Sequence, residues 1–372
     1  GFHGRTQRDR DVRDMLRDVR AGLTGGVIVM DRNVRRTAAL KPLTRAMTAA
    51  ADAGGHPPLF IAVDQEGGAV QRIRAVGRYR RYPSAWRLAR TGATDRAEQV
   101  YATLSAQLAR LGFNLNFGPV VDLRTNPRNP IIARRNRSYG EDPDVVSAFA
   151  RIFVDAHHRN GVLTALKHFP GHGSSRRDSH HGFVDITPGW VDAELRPYAD
   201  LLRTGHADMV MIGHLYHRML ADAGARRPAT LSRKAVTELL RGELGFQGVI
   251  ITDDLAMGAI RRNFSLKDAI EGAVTAGNDI LLATSEGHVT RGLAARMVDI
   301  VTEGVLAGRI PRTRIDESHG RILALKTRMG SLGRVTRFSR TAVPLTGAHV
   351  KGAAEKRTRT ADGARPLRGT VR

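Results

Sequence analysis

The chain has 372 residues, 41% of them hydrophobic, no cysteine and a formal net charge of +23. That length suits one large domain or two ordinary ones, and the lack of cysteine excludes disulfides, thiolate nucleophiles and Cys-ligated zinc. No apolar run approaches the roughly 18 residues needed to span a membrane as a helix.

Gly1, not methionine, opens the sequence, so the true N-terminus, with any targeting segment on it, is expected to be missing, and the lack of cysteine leaves the compartment open. In chain order, short apolar runs follow one another: "GVIVM" at 26–30, "PLFIAV" at 58–63, "FNLNFGPVV" at 113–121, "VLTAL" at 162–166, "DMVMI" at 208–212, "GVIIT" at 248–252 and "NDILLA" at 278–283. Helical patterns separate them. Asp142-Pro143 opens one helix as N-cap and first residue, Val146, Phe149, Ala150 and Phe153 form its apolar stripe, and Gly161 closes it. Ser232 and Ser265 stand where N-caps are expected before two later helices.

This β/α alternation, with Gly1-Phe2 as the end of an eighth strand, predicts an α/β chain folded as a single (β/α)8 TIM-like barrel over residues 1–330, its first strand truncated. Barrel enzymes carry their chemistry where strands end. Here the runs end on Asp64, Asp122, Lys167 with His168, His214, and Asp253 with Asp254. Polar residues end strands in any α/β protein, so each alone reads as structural; their repetition on one rim reads as a site. Between the fourth and fifth runs, "KHFPGHGSSRRDSHHG" (167–182) crowds titratable groups among glycines.

The segments "VDQEGGAVQR" (63–72), "NRSYG" (136–140), "KHFPGHGSSRRDSH" (167–180) and "GVIITDDLAMGAI" (248–260) resemble, in order, the motifs of family 3 glycoside hydrolases, in the β-N-acetylglucosaminidase branch of the single-domain, cell-wall-recycling type. The resemblance implies a retaining, exo-acting enzyme on terminal N-acetylglucosamine of peptidoglycan fragments or chitin oligosaccharides. It implies Asp253 as nucleophile, Asp254 as secondary, and His180 as acid/base with Asp178 as its partner. Asp64, Arg72, Arg137, Lys167 and His168 are implied to hold the sugar. A histidine suits the acid/base role because its ordinary pKa of about 6.5 lets it give and take protons near neutrality without deep burial. Glycines 171, 173 and 182 suggest a loop that closes over substrate and delivers it. His172 is expected to shape the loop, and His181, Arg176 and Arg177 to be solvated.

Several rival readings stay open at this point. Substrate-assisted hydrolysis would use the adjacent Asp253 and Asp254, phosphorolysis would replace water by phosphate, and a catalytically inactive barrel would only bind sugar. Retention of Asp253, Asp178 and His180 together argues against the last. A zinc site from His168, His172, Asp178 and His180 lacks helical spacing, and Pro170 with the glycines opposes a helix; no metal and no cofactor are expected. Residues 331–372 read as a basic, disordered tail: from 333 onward, ten Lys/Arg oppose Glu355 and Asp362, a net +8. No zinc-finger, RNP or helix-turn-helix pattern accompanies the charge, so a carbohydrate partner is expected and a specific nucleic acid is not. Resemblance to the recycling enzymes places the chain in the cytoplasm, with a periplasmic or secreted location as the alternative.

Overall fold

The computed structural model describes residues 4–34, 37–74, 81–222, 224–284 and 292–332. Six of the apolar runs form strands: β1 (Gly26–Val29), β2 (Phe60–Val63), β3 (Leu115–Asn116), β4 (Leu163–Phe169), β5 (Met209–Ile212) and β6 (Val249–Thr252). They pair in chain order, every pair parallel, so each connection must cross over the sheet. Helices do this between successive strands, among them Leu40–Ala53, Thr94–Arg110, Pro143–His158, Arg196–Arg203 and Lys234–Glu243.

Alternation along the strands separates two apolar layers. Val27, Val29, Ile61, Val63, Val210, Ile212 and Ile250 pack under the helices, while Ile28, Phe60, Ala62, Met209, Met211, Val249 and Ile251 pack together on the other face. At about 4.8 Å per strand, a flat sheet would set β1 and β6 roughly 24 Å apart. Ile28 and Ile251 instead line one cavity, so the sheet curls into part of a barrel with its own interior.

The helix starts follow their sequence cues. The Asp142 carboxylate accepts from Asp144 N at 2.8 Å with Pro143 next to it, and the Val146, Phe149, Ala150 and Phe153 stripe is buried. Ser265 Oγ accepts from Asp268 N at 3.1 Å. Ser232 Oγ accepts from Ala235 N at 3.3 Å, but the helix after it is wound in the wide i→i+5 form.

The closed eight-strand ring is not what the described residues show. "NDILLA" touches the sheet through a single bridge, Ile280 to Ile251, because Leu282 N is taken by the Thr252 hydroxyl at 2.9 Å and the ladder stops. Gly1-Phe2 and the tail from 333 lie outside the described residues. Between β1 and Ile280 opens an apolar cavity of about 890 Å³ that reaches Ile28, Phe60, Leu115, Phe117 and Ile251. Among the described residues no helix is long and apolar enough to cross a membrane.

Candidate active site

At the carboxyl ends of β2 and β4 the chain assembles a buried charge cluster. Lys167, within β4, places its ammonium 2.9 Å from Asp64 Oδ1 and 2.7 Å from Glu66 Oε1. Arg137 closes on Glu66 through Nε and Nη2, both at 2.8 Å, the two-pronged geometry that guanidinium and carboxylate favour. Gln65 sets this up by strapping the short Gln65–Gly67/Val70–Gln71 hairpin: its Oε1 accepts from Arg72 N and Ile73 N. That fixes Arg72 beside Asp64, Nη2 to Oδ2 3.7 Å, while buried Arg72 Nε has no hydrogen-bond partner among the described residues. Burial by itself would raise the Glu66 carboxyl, but Arg137 and Lys167 outweigh it and hold it well below the ordinary range.

A second network hangs from Asp122, which is fully buried. Its Oδ1 accepts from His168 N (3.1 Å) and His172 N (2.7 Å), and its Oδ2 from His168 Nδ1 (2.7 Å). A carboxylate can only accept, so Nδ1 carries the His168 proton, and Nε2 faces Arg137 Nη2 at 3.4 Å. The two networks therefore meet at Arg137. His172 bonds Ser175 Oγ (2.7 Å) and Ser179 Oγ (3.2 Å), and burial, with His168 beside it, pushes it down to about 4. It shapes the loop, as expected.

Across the rim Asp253 follows β6, its N donating to Ile212 O at 2.9 Å and its Oδ1 accepting from Asp254 N at 2.8 Å. Burial would raise its carboxyl; His214, His168 and His180 facing it, with the Asp254 N–H, hold it down at about 2. Asp253 is thus ionised at any ordinary pH. Asp254 turns away and is spent on structure, accepting from Ala256 N (3.0 Å), Thr284 N (2.8 Å) and the Thr284 hydroxyl. His214 bridges the Asp254 carbonyl (2.9 Å) and Thr230 (2.7 Å).

The loop after β4 carries a histidine–aspartate pair. Asp178 Oδ1 accepts from His180 Nδ1 at 2.7 Å and from His180 N at 2.9 Å, which fixes the tautomer and leaves Nε2 free for substrate. That hydrogen bond raises the His180 pKa, with the charge of Asp253 adding to it against burial. Arg176, Arg177 and His181 are exposed. The candidate zinc set does not converge: each histidine is committed to its own partner, and among the described residues no three His, Asp or Glu are placed to hold a metal ion.

All eight residues singled out in the sequence therefore fall on this rim, in the charge cluster, the Asp122 network or the Asp253–His180 pair. Sequence reasoning missed Glu66, which shares Asp64's face two residues on. It also assigned no role to Asp122, visible only as one more strand-end aspartate, and passed over Glu194. The last accepts from Gly173 N (3.0 Å) and Ser174 N (3.2 Å) at the loop's root, and nothing in "WVDAELRP" announces it.

A curled parallel α/β sheet with its charged groups gathered where strands end and in the loops that follow has the layout of a barrel enzyme. The comparisons narrow this. Residues 5–325 match the glycosyl hydrolase family 3 N-terminal domain, and the chain belongs to that family. Beta-hexosaminidase A of Pseudoalteromonas piscicida is 35% identical over 326 residues, 82% of this chain and 53% of that protein. Beta-hexosaminidase LpqI of Mycobacterium tuberculosis is 36% identical over 292 residues, 76% of this chain and 72% of that protein. The chain thus spans about half the length of the Pseudoalteromonas protein. Among solved structures, a family 3 beta-N-acetylglucosaminidase from Paenibacillus sp. str. FPU-7 superposes with a TM-score of 0.77 at 32% identity, covering 93% of this chain and 63% of that one. The beta-N-acetylhexosaminidase of Beutenbergia cavernae gives 0.74 at 30%, covering 88% and 96%.

Proposed function

We propose that this chain is a retaining, exo-acting β-N-acetylglucosaminidase that releases terminal β-linked N-acetylglucosamine from peptidoglycan fragments or chitin oligosaccharides. The observation that carries the proposal is the pairing of an ionised, rim-facing Asp253 with the Asp178–His180 dyad. Asp253 attacks the anomeric carbon while His180 Nε2–H protonates the departing glycosidic oxygen, leaving a glycosyl ester on Asp253. His180, now neutral, takes a proton from water, which attacks the same carbon and restores both groups; two inversions give net retention. Asp178 orients the imidazole and stabilises its cation. Asp64, Arg72, Arg137, Lys167 and His168 hold the sugar, and Arg72 Nε, which is buried with no hydrogen-bond partner among the described residues, supports that role, since a buried donor without an acceptor is costly.

Substrate-assisted cleavage would require a second carboxylate turned toward the acetamido group. Asp254 is the adjacent candidate, and its oxygens are already taken by Thr284 and Ala256 N, which favours the covalent route. The test compares 4-nitrophenyl N-acetyl-β-glucosaminide with the plain β-glucoside for the parent, Asp253→Ala and His180→Ala. Expected are preference for the acetamido sugar, loss of orders of magnitude in Asp253→Ala, and a fluorosugar adduct on Asp253 in the parent. Runs with and without phosphate separate hydrolysis from phosphorolysis. Folded parent that cleaves neither glycoside would leave only sugar binding.

A further inference from the structure

The loop that carries His180 is seated on the segment that carries Asp253. Five residues beyond the nucleophile, Gly258 N donates to His180 O at 3.1 Å and Ala259 N to Ser179 O at 3.1 Å. These two N–H groups open the short helix Gly258–Arg261 and have no partner within it. The fit allows no side chain at 258: a Cβ there would stand 2.6 Å from His180 O, 3.0 Å from His181 C and 3.2 Å from Gly182 N. All three are backbone atoms, so relief requires moving the loop. From the other side His172 holds Ser179 Oγ, and its own N is fixed on buried Asp122. The Ser179–His180 peptide is therefore clamped between the Asp122 network and the stretch following β6.

We propose that Gly258 is a positioning residue for the acid/base step: its bare Cα and its N–H, with that of Ala259, set the distance between His180 and Asp253. This rests on the roles assigned to those two residues above. Gly258 touches neither substrate nor reacting atoms. It acts by letting the loop come down far enough for His180 Nε2 to reach the glycosidic oxygen.

The consequence is a selective loss. A misplacement of about 1 Å can cost on the order of 10²-fold in rate, and here it falls only on proton transfer. Gly258→Ala, Ala259→Pro, His180→Ala and Asp253→Ala are assayed with phenyl and 2,4-dinitrophenyl N-acetyl-β-glucosaminides, whose leaving groups respectively need and do not need protonation. Proline at the second helical position is tolerated by the helix and removes the Ala259 donor, so it tests the clasp again should the alanine variant not fold. His180→Ala is expected to lose about 10²- to 10⁴-fold on the phenyl glycoside and far less in forming the glycosyl-enzyme from the dinitrophenyl one. Gly258→Ala and Ala259→Pro are expected to copy that split at roughly 10- to 100-fold. Equal losses on both substrates, or none, in folded clasp variants would overturn the proposal. An active Asp253→Ala would instead overturn the assignment beneath it.

Discussion

Glu66 is the hinge of the buried charge cluster, because Arg137 and Lys167 both spend their charge on it in a site where Arg137 is 8% and Lys167 2% exposed. Removing one partner of a buried ion cluster leaves the others uncompensated, at a cost of about 3–5 kcal/mol. Glu66→Ala is therefore expected to lower unfolding stability by that amount in urea titrations, and Glu66→Gln, which keeps the acceptor oxygen, by less. Equal, small losses would show that Asp64 alone satisfies both cations. The dyad makes a separate expectation about pH. A general acid must hold its proton when the reaction starts, so the basic limb of kcat/KM follows His180 in the free enzyme. The hydrogen bond to Asp178 raises the His180 pKa, placing that limb above the ordinary histidine value. Asp178→Asn removes the charge and should move the limb to lower pH while turnover falls. A limb that stays in place would detach His180 from the acid role.

The loop between β4 and β5 is held at its root by Glu194, which accepts from Gly173 N and Ser174 N. Burial, then the neighbouring Asp122, pushes this carboxyl up to about 8 from 4.5. The folded protein therefore keeps a proton that the unfolded chain releases near 4.5, so this group's stabilisation is complete below that pH and is lost as pH rises through about 8. Glu194→Gln cannot ionise, and its urea midpoint should fall less than the parent's between pH 5 and 8; parallel slopes would assign the dependence to other groups, His180 among them. What was legible at this scale follows from period and position. Strands β1, β2, β4, β5 and β6 could be read because each is a short unbroken apolar run rich in β-branched residues that ends on polar groups, and Asp142 and Ser265 because capping is local. "FNLNFGPVV" and "NDILLA" read as strands too, yet the first pairs only at Leu115–Asn116 and through a bridge from Val120 to Lys167, and the second only through Ile280. Asn116 and Thr252 side chains there bond neighbouring backbone groups, a competition that hydrophobic pattern does not register. Glu194 and Gly258 were hidden for a related reason: their partners lie 20 to 21 and 78 residues away along the chain, and only the fold brings them together.

At the scale of the whole sequence, the net charge is weighted toward the C-terminal segment. The proposed site balances its cations against Asp64, Glu66, Asp122 and Asp253, whereas ten of the basic residues stand beyond position 332 with only two acidic ones. Taking that net +8 from the total of +23 leaves a chain ending at Leu332 with +15. Attraction to a polyanion grows with the charges it can engage and weakens steeply with salt, whatever the base sequence. Catalysis on a neutral glycoside does not share this dependence, because at 0.15 M salt an exposed charge is screened within about 8 Å. The chain ending at Leu332 should accordingly elute from an anionic matrix at lower salt than the full chain and bind duplex DNA more weakly with a shallower salt slope. It should still cleave 4-nitrophenyl N-acetyl-β-glucosaminide within about twofold of the parent at that ionic strength. Salt elution and turnover that fall together would tie the basic residues to the site. Base-sequence preference in the full chain would mean that they read nucleic acid rather than merely adhere to it.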